Sequence, residues 1–411
     1  MVITPQQIQL DVYKAYDDAK EHKRNTIAQL GFEITQEIDL NKLICELVTR
    51  TYTPLRAFCF ITFDPVQREV YASQFRDRVV QHVLYNYLAP LFDTLFIHDT
   101  YSCRVGKGTH FGVQRFWHHL RSATNNFQND AEILFYDISG YFMGIDKQRV
   151  MNIVMNEIYK HLYRRSPDGR RWDERIDPLF CEWLLHCFLD RNPARDRIVI
   201  GDERDWDGLP DKKRLDKSKD GFGIVIGDIL SQLLSNVLLN VTDQWAKRKK
   251  HLKHFGHYVD DHYIIHPNSG FLHNLEPELK EAYHELINVN IHPNKIRYAP
   301  ANSANQFLGA YVGPYYLMPR ERTIKKFTRV AQEMEYELIF YPQTTLTLET
   351  IRARVNSYCG IMSHYKSFEL LRKYFCVPAY THYFEFHNYM RKCDIKPELC
   401  IGLNEKDTFR S

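Results

Sequence analysis

The chain has 411 residues, a formal net charge of +3, 44% hydrophobic and 26% charged residues. That composition excludes wholesale disorder, and the length allows two or three subdomains with cores of their own. The slightly basic balance permits a nucleic-acid partner without requiring one. Nine cysteines without CxxC or zinc-type spacing predict a reduced, cytoplasmic protein, and no apolar run has transmembrane or signal-peptide character.

Residues 1 to about 50 are expected to be helical, with Ile8, Val12 and Tyr16, then Leu40, Leu43 and Leu47, at helical spacing. From Thr51 the pattern changes to strands: Ala57 to Phe63, a turn at Pro65, then Arg68 to Tyr71. A helix follows from Phe75 to Leu84. Arg68, Arg76 and Arg78 lie close together here, and their guanidinium forks suit phosphate oxygens; an ion-paired surface is the plainer alternative. Ser102 to Thr109 is a loop with glycines and bases that opens a helix through Leu120, loosely suited to a phosphate chain but not a Walker A loop.

Ala131 to Phe142 reads as a buried strand that ends in one acid, Asp137. Phe142 stands five residues on, where a bulky ring would wall a sugar pocket and exclude a 2′-hydroxyl. Residues 160–220 are charged, with Lys212, Lys213 and Arg214 near the end and an ordered loop over Asp205 to Pro210. Gly221 to Gln232 then leads into an apolar helix over Leu233 to Val241. That stretch is either a floor beside a nucleotide or a helix start capped by Asp228. Lys247 to Lys253 is a basic run of the solvated kind.

The chain is organised around His257-Tyr258-Val259-Asp260-Asp261-His262-Tyr263-Ile264-Ile265-His266. Apolar flanks predict a hairpin with Asp260 and Asp261 at its turn. Two adjacent carboxylates repel unless a cation lies between them, and hard oxygens select Mg2+ or Mn2+. With Asp137 as a third carboxylate, the set suits two-metal phosphoryl transfer; by itself the hairpin is also an ordinary solvated turn. A helix over Glu276 to Val289 precedes Lys295, a candidate proton donor to pyrophosphate. Phe307 to Val312 reads as one strand whose Gly309 permits close backbone approach. The last 90 residues read as a basic helical bundle carrying Arg352, Arg354, Lys366, Arg372 and Lys373, suited to a duplex backbone or to a protein surface.

In this order the features resemble a reverse transcriptase over about residues 50–400. The resemblance implies an α+β right hand: a helical segment (1–50), fingers (51–130), a palm with an antiparallel sheet (131–315, with the charged insertion near 160–220) and a helical thumb with its tail (316–411). It implies Asp137, Asp260 and Asp261 as catalytic metal ligands, with the Ile138 carbonyl assisting, and two Mg2+ ions, replaceable by Mn2+. Phe142 matches the steric gate, Arg68 and Arg76 the nucleotide contacts, Lys295 the late-palm lysine, and Leu308 and Gly309 the primer grip. Ile226-Gly227-Asp228-Ile229-Leu230-Ser231-Gln232 is similar to the Ile-Gly-x-x-x-Ser-Gln loop of diversity-generating retroelements, which makes Ile226, Gly227 and Gln232 nucleotide-binding residues. Asp228 departs from that lineage's usual Asn, and residues 160–200 are longer and more charged than its pattern. The implied partners are a structured non-coding RNA template, a DNA primer and product, dNTPs, and an accessory protein or second copy, without a membrane and in a bacterial or phage setting. Anti-phage relatives that copy a fixed RNA, and a catalytically silent RNA-binding scaffold, are the competing implications; an RNA-dependent RNA polymerase is disfavoured by Phe142.

Overall fold

The computed structural model describes residues 3–21, 26–64 and 66–397; the expected Pro65 turn and residues 398–411 of the expected tail lie outside them. The architecture is mixed α+β, in two units: Met1–Gly112 with Glu132–Tyr298, and Val113–Ala131 with Ala299–Ser411.

The first unit begins with α1 (Pro5–Lys20), α2 (Ile27–Ile34) and α3 (Gln36–Val48). Ile8, Val12 and Tyr16 of α1 and Leu40, Leu43 and Leu47 of α3 are buried, as their spacing predicts. Strands β1 (Phe58–Thr62) and β2 (Arg68–Ala72) form an antiparallel pair, followed by α4 (Phe75–Leu95). After α5 (Thr109–Ala123), most of which belongs to the second unit, come β3 (Glu132–Asp137), the short α6 (Tyr141–Gly144), α7 (Lys147–His161) and α8 (Pro178–Leu189).

The charged segment expected as a palm insertion contributes β4 (Ile198–Val199), which pairs parallel with β1 and so extends the β1/β2 sheet. Apolar side chains explain the attachment: Trp206, Leu209 and Leu215 share a buried cluster with Cys59, Ile61 and Tyr71. Buried Glu69 completes it, accepting hydrogen bonds from Trp206 Nε1 (2.8 Å) and the Leu215 amide (2.7 Å). A fully buried carboxylate is tolerated here because both oxygens are satisfied.

Helix α9 (Ile229–Gln244) leads to β5 (His254–Tyr258), β6 (Asp261–His266), α10 (Ser269–Ile287) and β7 (Arg297–Pro300). The central sheet has the order β5-β6-β3-β7. Helix α10 starts seven residues earlier than the apolar pattern predicts, because Asn268 accepts a bond from the Phe271 amide and caps it. Pro277 is held inside the helix, at a cost of about 3 kcal/mol. Burial of Leu272, Leu275 and Leu279 outweighs this, at about 1.5–3 kcal/mol each.

In the second unit the stretch expected as one strand is a hairpin, β8 (Asn305–Phe307) and β9 (Ala310–Val312), joined through Leu308 and Gly309. Both turn residues have positive φ, 45° and 83°, and nothing lies within 4 Å of where a Gly309 Cβ would be. The glycine therefore serves the turn, not a close approach. After β10 (Leu317–Pro319) come α11 (Glu321–Phe340), α12 (Thr345–Met362), α13 (Phe368–Phe375), α14 (Pro378–Tyr383) and the hairpin β11 (Phe384–His387)/β12 (Lys392–Ile395). Phe327, Met334, Ile351, Val355 and Phe375 build its core. No described helix is long and apolar enough to cross a membrane.

Candidate active site

Strand β3 buries four consecutive residues, Ile133 to Tyr136, as a strand covered on both faces does. Its last residue, Asp137, pairs with Asp261 of β6, and Asp261 also pairs with Tyr258 of β5. Two central strands thus bring two acids from distant parts of the chain side by side. The turn between β5 and β6 is Val259 and Asp260, one residue earlier than an Asp-Asp turn, so Asp261 already belongs to the strand. Val259 has φ +53°. A β-branched residue in that region costs roughly 1–2 kcal/mol, so its surroundings must impose the conformation.

The backbone brings a further segment to Asp137. The His292 amide donates to the Asp137 carbonyl (2.8 Å) and the Ser139 amide to the Asn290 carbonyl (2.9 Å). Lys295 follows at once, and its Nζ stands 2.8 Å from Asp137 Oδ2.

These residues border an open cleft of about 550 Å³. Its acids are Asp137, Asp260, Asp261 and, behind the wall, the buried Glu69; Ile138, Phe142 and Ile226 supply apolar wall; Arg68, Lys212, Lys213 and Lys295 supply positive charge. Burial, reinforced by Asp137, raises the Asp260 carboxyl above its usual range. Asp261 is open to solvent on one side yet enclosed by protein on the others. Burial and the charges of Asp260 and Asp137 push it up to about 6, against the pull of Lys295 and Arg68. Carboxylates crowded in this way, with Asp137 raising both Asp260 and Asp261, form a hard-oxygen set whose repulsion a divalent cation would relieve. Among the described residues no three His, Cys, Asp or Glu side chains are already gathered closely enough to hold an ion. The donor chemistry fits a metal, while Lys295 is the cation now closest to Asp137.

The structure therefore brings Arg68, Asp137, Ile138, Phe142, Ile226, Asp260, Asp261 and Lys295 to one cleft. Gly227 lies just behind Ile226. The Tyr71 amide donates to the Ile226 carbonyl (3.0 Å), and a Cβ on Gly227 would come within 2.5 Å of the Tyr71 carbonyl. Only glycine allows the loop to press this closely on β2.

Arg76 stands elsewhere. The first turn of α4 directs its guanidinium to Glu46, Asp77 and the Thr53 carbonyl, and over the Tyr52 ring, because buried Asp77 requires a counter-charge. Gln232 is also outside the cleft wall; its side-chain oxygen accepts from the Cys103 thiol. Asp228 makes no side-chain cap to α9. Its buried carboxylate accepts instead from Ser73 Oγ (2.7 Å) and Gln81 Nε2 (2.8 Å), which fastens the loop to the start of α4. Leu308 and Gly309 form the β8/β9 turn of the second unit.

Lys212 and Lys213 were read in the sequence only as members of a charged cluster. They reach the cleft because Glu69 anchors the flanking Trp206 and Leu215, and because the Lys212 carbonyl packs on Gly140 with no room for a Cβ (2.9 Å). Lys212 Nζ lies 3.2 Å from His292 Nε2. No residue spacing signals such an arrangement, since it depends on a contact between distant loops.

No protein-family model matches the sequence, and no curated protein matches it. Among solved structures, the chain is similar to telomerase from Candida albicans in complex with a TWJ fragment of telomeric RNA (11% identity, TM-score 0.44, covering 81% of this chain and 56% of that one). It is also similar to apo telomerase from Candida tropicalis (13% identity, TM-score 0.42, covering 81% and 64%). The chain thus spans less than two thirds of each of these matched chains.

Proposed function

We propose that the protein is an RNA-directed DNA polymerase of the kind found in diversity-generating retroelements, copying a cognate structured non-coding RNA into cDNA. The observation that carries this reading is the pairing of Asp137 with Asp261, with Asp260 at the adjoining turn, inside a cleft bordered by Phe142 and four basic side chains. Asp137, Asp260 and Asp261, with the Ile138 carbonyl, would hold two Mg2+ ions. Bound there, the metal would supply an activated primer hydroxyl and charge stabilisation on the triphosphate.

The chain's own residues then divide the remaining work. Arg68, Lys212 and Lys213 offer positive charge to a triphosphate. Phe142 fills the space a ribose 2′-hydroxyl would need. Lys295, whose Nζ stands 2.8 Å from Asp137 Oδ2, would carry the proton for departing pyrophosphate. Ile226, held against β2, presents an apolar surface where a Gln would present a polar one. The fingers, palm and thumb division, the retroelement setting, the RNA template, the DNA primer and an accessory partner belong to the same proposal.

The test is extension of a DNA primer on an RNA template with dNTPs and Mg2+, beside Asp260→Ala/Asp261→Ala. Nucleic acid that co-purifies with the protein is sequenced in parallel. cDNA scattered with substitutions from one RNA upholds the retroelement role, and repetitive DNA from one fixed RNA assigns the enzyme to phage defence. A second reading, the silent RNA-binding scaffold, is favoured by the closed Lys295–Asp137 ion pair. RNA bound equally by both proteins, with no extension by either, would establish it.

A further inference from the structure

Directly behind the Asp260–Asp261 hairpin lies a polar cluster to which the proposed chemistry gives no task. Asp243 near the end of α9, His257 of β5, His262 of β6 and Thr100 are all buried, Asp243, His257 and Thr100 completely so. His257 Nε2 lies 2.9 Å from Asp243 Oδ2, which also accepts from Thr100 Oγ1 at 3.1 Å. The other ring nitrogen, Nδ1, lies 3.2 Å from the Val259 carbonyl. A carbonyl only accepts, so Nδ1 carries a proton and donates it, and the Asp243 bond fixes the ring in that orientation.

The opposite strand repeats the contact. His262 Nδ1 lies 3.0 Å from the Asp260 carbonyl and donates to it in the same way. His257 and His262 face each other across β5 and β6 and stack at 4.6 Å and 11°, and Tyr136 of β3 extends the stack at 4.8 Å. The backbone of His257 is fixed as well: its amide donates to the Asp99 carbonyl, and its carbonyl accepts from the Tyr101 amide, both at 3.0 Å. Two imidazoles, braced from three sides, therefore grip the two consecutive carbonyls of the turn. One of those carbonyls belongs to Val259, the residue whose φ of +53° its own side chain disfavours.

We propose that Asp243 and His257 form a buried clamp that holds the Val259–Asp260 turn in the conformation presenting Asp260 and Asp261 to the cleft. They are positioning residues. The consequence for divalent-cation binding rests on the polymerase reading, whereas the hold on the turn does not.

The test uses the full chain in four forms: wild type, His257→Phe, Asp243→Asn, and the double variant His257→Phe/Val259→Gly. Mn2+ affinity is read by electron paramagnetic resonance, melting by circular dichroism, and amide hydrogen exchange at residues 259–262 without metal. His257→Phe keeps a ring in the stack but has no donor. Its exchange at the turn is expected to accelerate, with α9 and the rest of β6 unchanged, and its Mn2+ affinity to fall about tenfold or more, as loss of an outer hydrogen bond to a metal site does.

Asp243→Asn replaces the carboxylate by an amide whose N–H can donate to Nε2 and leave the Nδ1 proton on the Val259 carbonyl, so it should stay near wild type. Glycine at 259 accepts the positive φ without strain, so the double variant should recover affinity. Unchanged exchange in a folded His257→Phe, or equal acceleration over the whole of α9 and β6, overturns the clamp. If His257→Phe does not fold, the same exchange measurement on Asp243→Ala decides, with unchanged protection at the turn again overturning it. Accelerated exchange in a protein whose wild type binds no Mn2+ upholds the clamp and removes the metal-dependent reading of the site.

Discussion

In the second unit, charged side chains sit one helical turn from opposite partners: Glu321 with Lys325 (2.8 Å), Glu349 with Arg352 (2.7 Å) and Arg329 with Glu333 (3.5 Å). Arg354, one of the bases expected to meet a duplex, is paired with Glu337 at 3.3 Å. In the cleft of the first unit, carboxylates are set beside carboxylates, and Asp260 and Asp261 are raised, next to a valine in a disfavoured backbone region. One region pairs its charges within single helices or with a neighbouring helix; the other keeps like charges together that the surrounding sheet must hold in place. Such concentration of unfavourable terms is what the proposed cation and phosphate site would require.

Removing the carboxylates breaks the contrast most sharply. Asp260→Ala/Asp261→Ala should lower primer extension by on the order of a thousandfold or more while leaving melting unimpaired, because no favourable contact of the core is lost; extension within tenfold of wild type would refute the catalytic assignment. Phe142→Ala comes next. Opening the wall should raise ribonucleotide incorporation relative to deoxynucleotide by roughly tenfold or more in competition assays, the scale on which one added group is discriminated. Ile226→Gln is expected to alter misincorporation by a few-fold, the size of one polar contact, and equal error rates measured by sequencing the products would exclude a role in base selection.

The stability of the cleft gives a pH signature. Asp261 has a folded pKa of about 6, above the roughly 3.9 of an unfolded aspartate, so protonation favours the folded state. Its contribution is therefore present below about pH 4 and is lost as pH rises through about 6. Asp261→Asn escapes that loss and should be more stable than wild type at pH 8 without divalent ions. Because the side chain is partly open to solvent, the gain is on the order of 1 kcal/mol, and it should vanish at pH 4 in thermal melts. Least affected is the second unit: Glu337→Gln should change stability by about 0.5 kcal/mol or less, since its pair with Arg354 is largely exposed.

Much of the site was legible because its parts are local. The strand ending at Asp137, the hairpin at 257–266 and Lys295 each follow from patterns a few residues long, and the sheet register then joins them. What could not be read depends on contacts between distant segments. Arg76 resembled a phosphate ligand from its neighbours, yet the buried Asp77 beside it claims the guanidinium. Asp228 had the residue type of a helix cap, but Ser73 and Gln81, far back in the chain, bind its carboxylate. The charged insertion gave no sign that Trp206 and Leu215 would meet Glu69 and bring two lysines to the cleft.

The order of the central sheet also sets when the site can exist. Strand β3 lies between β6 and β7, both made much later in the chain, so after its synthesis it waits with unpaired backbone groups on both edges. Pairing so distant in sequence is slow to form and exposed to mispairing meanwhile. A nascent chain that has emerged only as far as α9 holds Asp137 and the Phe142 wall but neither of the other two acids. The proposed cation site should therefore be incomplete through most of synthesis and form late and all at once.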